Sequence, residues 1–169
     1  VLQSGGPGAD PNYSTATYPG TSGSEGNIMV SNGTNFISGS LSTETSALSE
    51  NVLMPDANKW YQGPSVSLSA GKWFITGTIT ITNPNDSAGA TTIRLYDGTT
   101  VYASTSTYTR KNPLPTTLSI NGVVTLSSST TVYIDAAGSQ NNYVISANAV
   151  YNQQGNNAST ISAVRIGNL

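Results

Sequence analysis

Six carboxylates could be paired for acid–base work: Glu44, Glu50, Asp56, Asp86, Asp97 and Asp135. Two of them set across a sugar would be equipment for glycoside cleavage, one as acid and one as base or nucleophile. Asp97 precedes Gly98 and reads as a turn residue, and the others fall mainly in loops, where a carboxylate is usually solvated or turn-forming. Other catalytic sets are missing. The chain has no histidine and no cysteine, which removes the usual general base, the thiol nucleophile, disulfides and the common zinc ligands. Gly71-Lys72 in "SAGKW" lacks the upstream glycine and the following hydroxyl of a phosphate loop. "NPND", with Asp86, lacks the alternating oxygen ligands of a calcium loop. We therefore expect no enzyme activity, no cofactor and no metal.

The aromatic residues offer a different chemistry. Trp60, Tyr61, Tyr102, Tyr108 and Tyr143 could stack on the apolar faces of sugars. Core or interface packing is the competing reading, and it is favoured because buried aromatics dominate such energetics. Asn-X-Ser/Thr triplets begin at Asn12, Asn32, Asn85 and Asn157, and matter only in a eukaryotic secretory pathway.

Charge is scarce. Only 8% of the 169 residues are charged, against about 25% in an ordinary soluble domain. The net charge is -2, and the six basic residues are scattered apart from Arg110-Lys111. That leaves no electrostatic footprint for nucleic acid. Polarity comes from Ser, Thr, Asn and Gly, as in extracellular and viral β-proteins and in chains whose surface partners cover. No apolar run approaches the ~20 residues of a membrane span, and the opening does not resemble a signal peptide. The length suits one domain with a full core and a short arm.

Such side chains would be positioned by strands. Residues 1–26 are rich in Gly, Pro and Ser, without apolar period, and read as an extended arm. Val1, Leu2, Tyr13 and Tyr18 would be wasted on a linker, so we expect them to contact a neighbour, the arm being mobile when free and ordered when bound. Residues 27–50 should hold a β-hairpin turning at Asn32-Gly33 and then a polar connector, with a helical turn around Glu44–Leu48 as one reading. From residue 51 to 169 strand follows strand. "KWFITGTITIT" alternates strictly, with Trp73, Ile75, Gly77, Ile79 and Ile81 on one face and Lys72, Phe74, Thr76, Thr78 and Thr80 on the other. "TTIRLYDGTTVYAS" reads as a hairpin with Ile93 and Leu95 inward and Asp97-Gly98 turning. "TTLSINGVVTLS", "TTVYIDAAG", "NNYVISANAVY" and "STISAVRIG" complete an antiparallel sandwich.

Two of these strands are apolar on both faces. Tyr143, Ile145, Ala147, Ala149 and Tyr151 oppose Val144 and Val150, while Ile161 and Ala163 oppose Val164 and Ile166. A half-solvated strand should have one polar face. Either the last strand is central and covered on both sides, or its outer face meets another copy.

"GPSVSLSAGKWFITGTITI", "IRLYDGTTVYAS", "TLSINGVVTLSSSTTVYIDA" and the terminal "NNASTISAVRIG" resemble the strands of the complement-type globular head, a tumour-necrosis-factor-like jelly roll. They look most like the version at the C-termini of tailed-bacteriophage virion proteins, and "GNIMVSNGTNFIS" is similar to an element often found just upstream there. The likeness runs from about Gly26 to Gly167. It implies an all-β antiparallel jelly roll packed as a homotrimer, with Tyr133, Tyr143, Ile145, Tyr151, Ile161 and Arg165 as interface candidates. Arg165 would need a partner, for which Asp135 is the choice, since an unpaired buried cation is too costly to keep. The implied role is a virion structural one: a capsid decoration (cement) protein whose arm, through Val1, Leu2, Tyr13 and Tyr18, grips the major capsid protein. The alternatives are a tail-fibre or spike tip binding host glycans, or a soluble bacterial adhesion or signalling head. Without heptads, collagen-like repeats or β-helical period, a complete chain of this length would suit decoration better than a fibre. No nucleic-acid or membrane partner is expected.

Overall fold

The computed structural model describes residues 2–3, 12–13, 28–31, 36–39, 41–85, 87–109, 115–148 and 157–167. The chain divides into two compact units, Val1–Ser42 and Thr43–Leu169. In the first, β1 (Leu2–Gln3) pairs antiparallel with β2 (Asn12–Tyr13), and β3 (Ile28–Ser31) with β4 (Phe36–Gly39). The β3–β4 pair falls in the segment 27–50, where the sequence places a hairpin. Its register pairs Ser31 with Phe36, so four residues join the strands where an Asn-Gly turn would need two. Asn32 and Gly33 lie outside the described residues, as do Val1 and Tyr18, and the side chains of Leu2 and Tyr13 are likewise not described.

The second unit is a sandwich of ten strands among the described residues. They are β5 (Thr43–Ala47), β6 (Val52–Met54), β7 (Tyr61–Leu68), β8 (Gly71–Thr82), β9 (Gly89–Tyr96), β10 (Val101–Thr109), β11 (Thr116–Leu126), β12 (Thr130–Gly138), β13 (Tyr143–Ile145) and β14 (Thr160–Gly167). One sheet has the order β10-β9-β12-β7. The other has the order β5-β14-β8-β13-β6, with β11 on the free side of β8. All the pairings are antiparallel. The unit is an all-β jelly roll.

Strict alternation makes β8 the spine. Trp73, Ile75, Ile79 and Ile81 point inward and are buried against Ile93 and Leu95 of β9, Val132 and Ile134 of β12, and Val66 and Leu68 of β7. Gly77 is needed on that inward face, because a methyl there would overlap the Ile134 side chain and the Thr160 carbonyl. Pro64 cannot donate to a ladder, and it sits on the edge strand β7 at a bulge, where the register slips between Ser65 opposite Tyr133 and Gln62 opposite Asp135.

The last strand lies inside its sheet, bonded to β8 along one edge and to β5 along the other. Because β5 supplies that second edge, the jelly roll begins at Thr43, not at residue 51, and Glu44–Leu48 forms no helical turn. Beyond Thr78 the spine exchanges β14 for β13. At that fork the buried Ser159 hydroxyl accepts from the Thr80 N–H (3.0 Å) and donates to the Ser146 carbonyl (2.8 Å). The Ser146 N–H in turn reaches the Thr80 carbonyl at 2.8 Å. One side chain thus satisfies two backbone groups that no ladder reaches.

Candidate functional site

The outer face of the four-stranded sheet carries a side-chain cluster centred on Arg94. Alternation turns Ala90, Thr92, Arg94 and Tyr96 of β9 outward beside Tyr133, Asp135 and Ala137 of β12. The register sets Arg94 directly opposite Asp135. Its guanidinium donates from Nε (3.1 Å) and Nη2 (2.9 Å) to one oxygen, Oδ2. The same group lies 4.1 Å from the ring centroid of Trp60 and 3.8 Å from that of Tyr96, both within cation–π range. Asp135 is only 3% exposed, and its Oδ1 has no hydrogen-bond partner among the described residues. Burial raises the pKa of this carboxyl above its ordinary value, and the hydrogen bond and charge of Arg94 offset that only in part.

Trp60 ends a loop that is tied down residue by residue. The Asp56 N–H donates to the Tyr61 hydroxyl (3.0 Å), the Ala57 N–H to Asn141 Oδ1 (2.8 Å), and the Asn58 N–H to the Gly138 carbonyl (2.7 Å). Asn58 adopts φ = 58°, a left-handed conformation that asparagine tolerates better than most residues. Lys59 pairs with Asp56 at 2.8 Å on the surface, where such a pair contributes little. Between this loop and the sheet lies a groove of about 240 Å³ lined by Asn58, Trp60, Ala90, Thr92, Ala137, Gly138 and Ser139.

The β9–β10 turn uses Asp97 as a cap. Its Oδ1 accepts from the Thr99 N–H (2.8 Å), the Thr99 hydroxyl (2.8 Å) and the Thr100 N–H (2.6 Å), and its Oδ2 accepts from the Tyr102 hydroxyl. Burial pushes the Asp97 pKa up, but these donors together outweigh it and hold the carboxylate below its usual range. Tyr102 is pushed up to about 12, by burial first and then by Asp97. The carboxylate is committed to the turn.

The outer face of the six-stranded sheet is different. Register places Val123 of β11, Phe74 of β8 and Val164 of β14 side by side. Phe74 is 42% and Val123 58% exposed, with Ile166 54% exposed at the bulge that follows Arg165. The next rows are neutral and polar: Asn121, Thr76, Ser162 and Thr45, then Ser119, Thr78 and Thr160. Lys72 stands at one end.

Several expected interface residues have no surface to offer. Tyr143, Ile145 and Ile161 are wholly buried in the chain's own core, because the more apolar face of each strand turned toward the opposite sheet. Tyr133 is half-buried on the outer face of the four-stranded sheet, and Tyr151 lies outside the described residues. Arg165 does not meet Asp135, which belongs to the other sheet and is engaged by Arg94. Arg165 instead donates to the Ala70 carbonyl (2.7 Å) and lies 6.0 Å from the Trp73 ring centroid, its Nε without a partner among the described residues. Of the aromatic candidates, Tyr143 is core, Tyr61 and Tyr102 are half-buried and bonded to Asp56 and Asp97, and Tyr108 and Trp60 are exposed. Glu44 and Glu50 are exposed, and Asp86 lies outside the described residues. Among the described residues, no three His, Cys, Asp or Glu cluster to hold a metal, and no helix is long and apolar enough to cross a membrane.

No family model matches the chain, and no curated protein matches it. Solved structures do. Eiger TNF from S. frugiperda is similar over 76% of this chain and 94% of its own length, with 9% identity and a TM-score of 0.50. The likeness is one of fold: the chain is a jelly roll of the tumour-necrosis-factor type. An infectious bursal disease virus particle structure matches at a TM-score of 0.46 and 10% identity, over 77% of this chain and 33% of that one. The C-terminal CBM6 of LamC from Zobellia galactanivorans matches at 0.36 and 13% identity, over 73% of this chain and all of that one. The chain thus spans about a third of the viral protein.

Proposed function

We propose that the chain is a non-enzymatic virion structural protein, a trimeric capsid decoration protein of a tailed bacteriophage. The observation that carries this reading is the outer face of the six-stranded sheet, where an apolar row of Val123, Phe74 and Val164 continues into uncharged Thr, Ser and Asn rows. A face of that composition suits burial against copies of itself, since its one charge, Lys72, stands at the end where it can stay in water. The jelly-roll fold and the resemblance of its strands to phage virion heads support the same reading. The carboxylates support a non-catalytic role: Asp56 is paired with Lys59, Asp97 caps a turn, and Asp135 is held by Arg94. Residues 1–26 supply the contact with the major capsid protein, and the jelly roll projects as a knob.

The test is copy number. Quantitative mass spectrometry of purified particles should find hundreds of copies per virion, whereas a few dozen or fewer would assign the chain to a tail fibre or spike. Deleting residues 1–20 should leave a folded trimer that no longer joins capsids. Capsid binding at undiminished occupancy would move the attachment surface to the jelly roll and refute the role given to the arm.

A further inference from the structure

We infer that the groove beside Trp60 is a binding site for one ring of a neutral saccharide. The inference stands independently of the decoration role, because it rests on the other sheet. Its volume, about 240 Å³, is below the ~300–1,000 Å³ of pockets for drug-sized ligands, so a single ring is the fitting occupant.

The lining selects the chemistry. Trp60 is 41% exposed and forms one wall, with Ala90, Ala137 and Gly138 as an apolar floor. A sugar ring has apolar C–H faces for such surfaces and hydroxyls around its rim. Hydroxyl partners stand around the groove. The Asn58 carboxamide makes no hydrogen bond among the described residues, while its backbone is fixed to Gly138. Ser139 Oγ accepts from the Ala90 N–H (2.9 Å), which leaves its proton to donate. The Thr92 hydroxyl shares one bond with Ser106 (2.8 Å) and keeps capacity for another.

No lining residue is charged. Of the cations beside the groove, Arg94 is neutralised by Asp135 and covered by Trp60 and Tyr96, and Lys59, between Asn58 and Trp60, is paired with Asp56. An anionic sugar, a phosphate or a nucleic acid would therefore find no unpaired counter-charge among the described residues. The site is also built before a ligand arrives. Trp60 is held against Arg94, and the backbone of residues 56–58 is bonded at each N–H, so little ordering is left to oppose binding.

The experiment uses the full chain and four neutral probes, glucose, galactose, mannose and N-acetylglucosamine, with glucuronic acid and N-acetylneuraminic acid as charged comparators. Binding is read by ligand-observed NMR and by Trp fluorescence. At least one neutral sugar should bind in the millimolar range and perturb the exposed indole. Ala137→Leu fills the floor from the solvent side of β12, outside the core, and should weaken that binding at least tenfold without lowering the thermal midpoint. Thr92→Val should weaken it severalfold, and Trp60→Ala should abolish it. The inference is overturned if no neutral probe binds, if Ala137→Leu binds as the wild type does, or if the charged comparators bind more tightly.

Discussion

Replacing Phe74 by alanine tests the proposed assembly surface directly. Phe74 is 42% exposed and is flanked across β8 by Val123 and Val164. A phenylalanine has on the order of 200 Å² to bury, so sealing the exposed part removes roughly 80 Å² from water. At ~25 cal/mol per Å² that is about 2 kcal/mol for each protomer. Three symmetric copies give roughly 6 kcal/mol, about four decades in the trimer dissociation constant at ~1.4 kcal/mol per decade. The β-carbon survives truncation, so about three decades is the working expectation. Sedimentation from nanomolar to micromolar concentration should show a wild-type trimer and a Phe74→Ala chain that is largely monomeric. Far-UV circular dichroism should be unchanged, because Phe74 lies on the face of β8 away from the core. Tyr108→Ala, on the other sheet, should leave assembly alone. Equal dissociation constants for wild type and Phe74→Ala, or a wild type that is monomeric at micromolar concentration, would refute the reasoning.

Two further outcomes concern the fold's buried polar groups. Ser159→Ala removes the hydroxyl shared by the Thr80 N–H and the Ser146 carbonyl; at about 1–3 kcal/mol for each of the two orphaned buried groups, urea unfolding should show a loss of roughly 2–6 kcal/mol with an unchanged slope. Asp135 has a raised folded-state pKa, so between its ordinary value of 3.8 and the raised value the folded chain holds the extra proton. Stability should then rise as pH falls through that window, and Asp135→Asn should remove this component from the pH profile. Asp97 has the opposite sign: it stabilises above 3.8, and that contribution is lost as pH falls below it, a component that Asp97→Ala should abolish.

The parts of the fold that announce themselves in the sequence are those where one strand's own pattern is enough. Trp73, Ile75, Ile79 and Ile81 alternate with threonines over most of β8, and all four are buried. Asp97-Gly98 marks the β9–β10 turn, where Gly98 takes φ = 96°. β5 is the contrary case. "TETSA" has no apolar period, and it is a strand because β14 offers it an unpaired edge, which is a property of another segment. Three of the interface candidates are covered by the chain's own core for a related reason. Alternation sorts Tyr143, Ile145 and Ile161 onto one face, but it does not say whether the opposite sheet or a second copy covers that face. The Arg94–Asp135 pair spans 41 residues and becomes visible only once the β9–β12 register is known. Ser159 carries no sequence signal at all, since its role exists only where β8 changes partners. Trp60, by contrast, stands out as an aromatic residue in a polar loop, and the structure leaves it exposed.

The placement of charge gives these observations a common cause. Only two ion pairs form among the described residues, and the exposed one, Lys59–Asp56, sits in the Trp60 loop. The other, Arg94–Asp135, lies under Trp60 and Tyr96 on the outer face of a sheet. Arginine is suited to that position because its planar guanidinium can hold a carboxylate with its edge and an aromatic ring with its face. A lysine at 94 could neutralise Asp135 but could not stack, and the Trp60 wall of the groove would lose its support. The six-stranded sheet needs no such device, since its outer rows of Phe, Val, Thr, Ser and Asn are uncharged and Lys72 stands at their end, where it can stay in water. Scarcity of charge on one face and its sequestration on the other leave both faces with largely neutral surface, the property on which the proposed assembly and the proposed saccharide groove both rely.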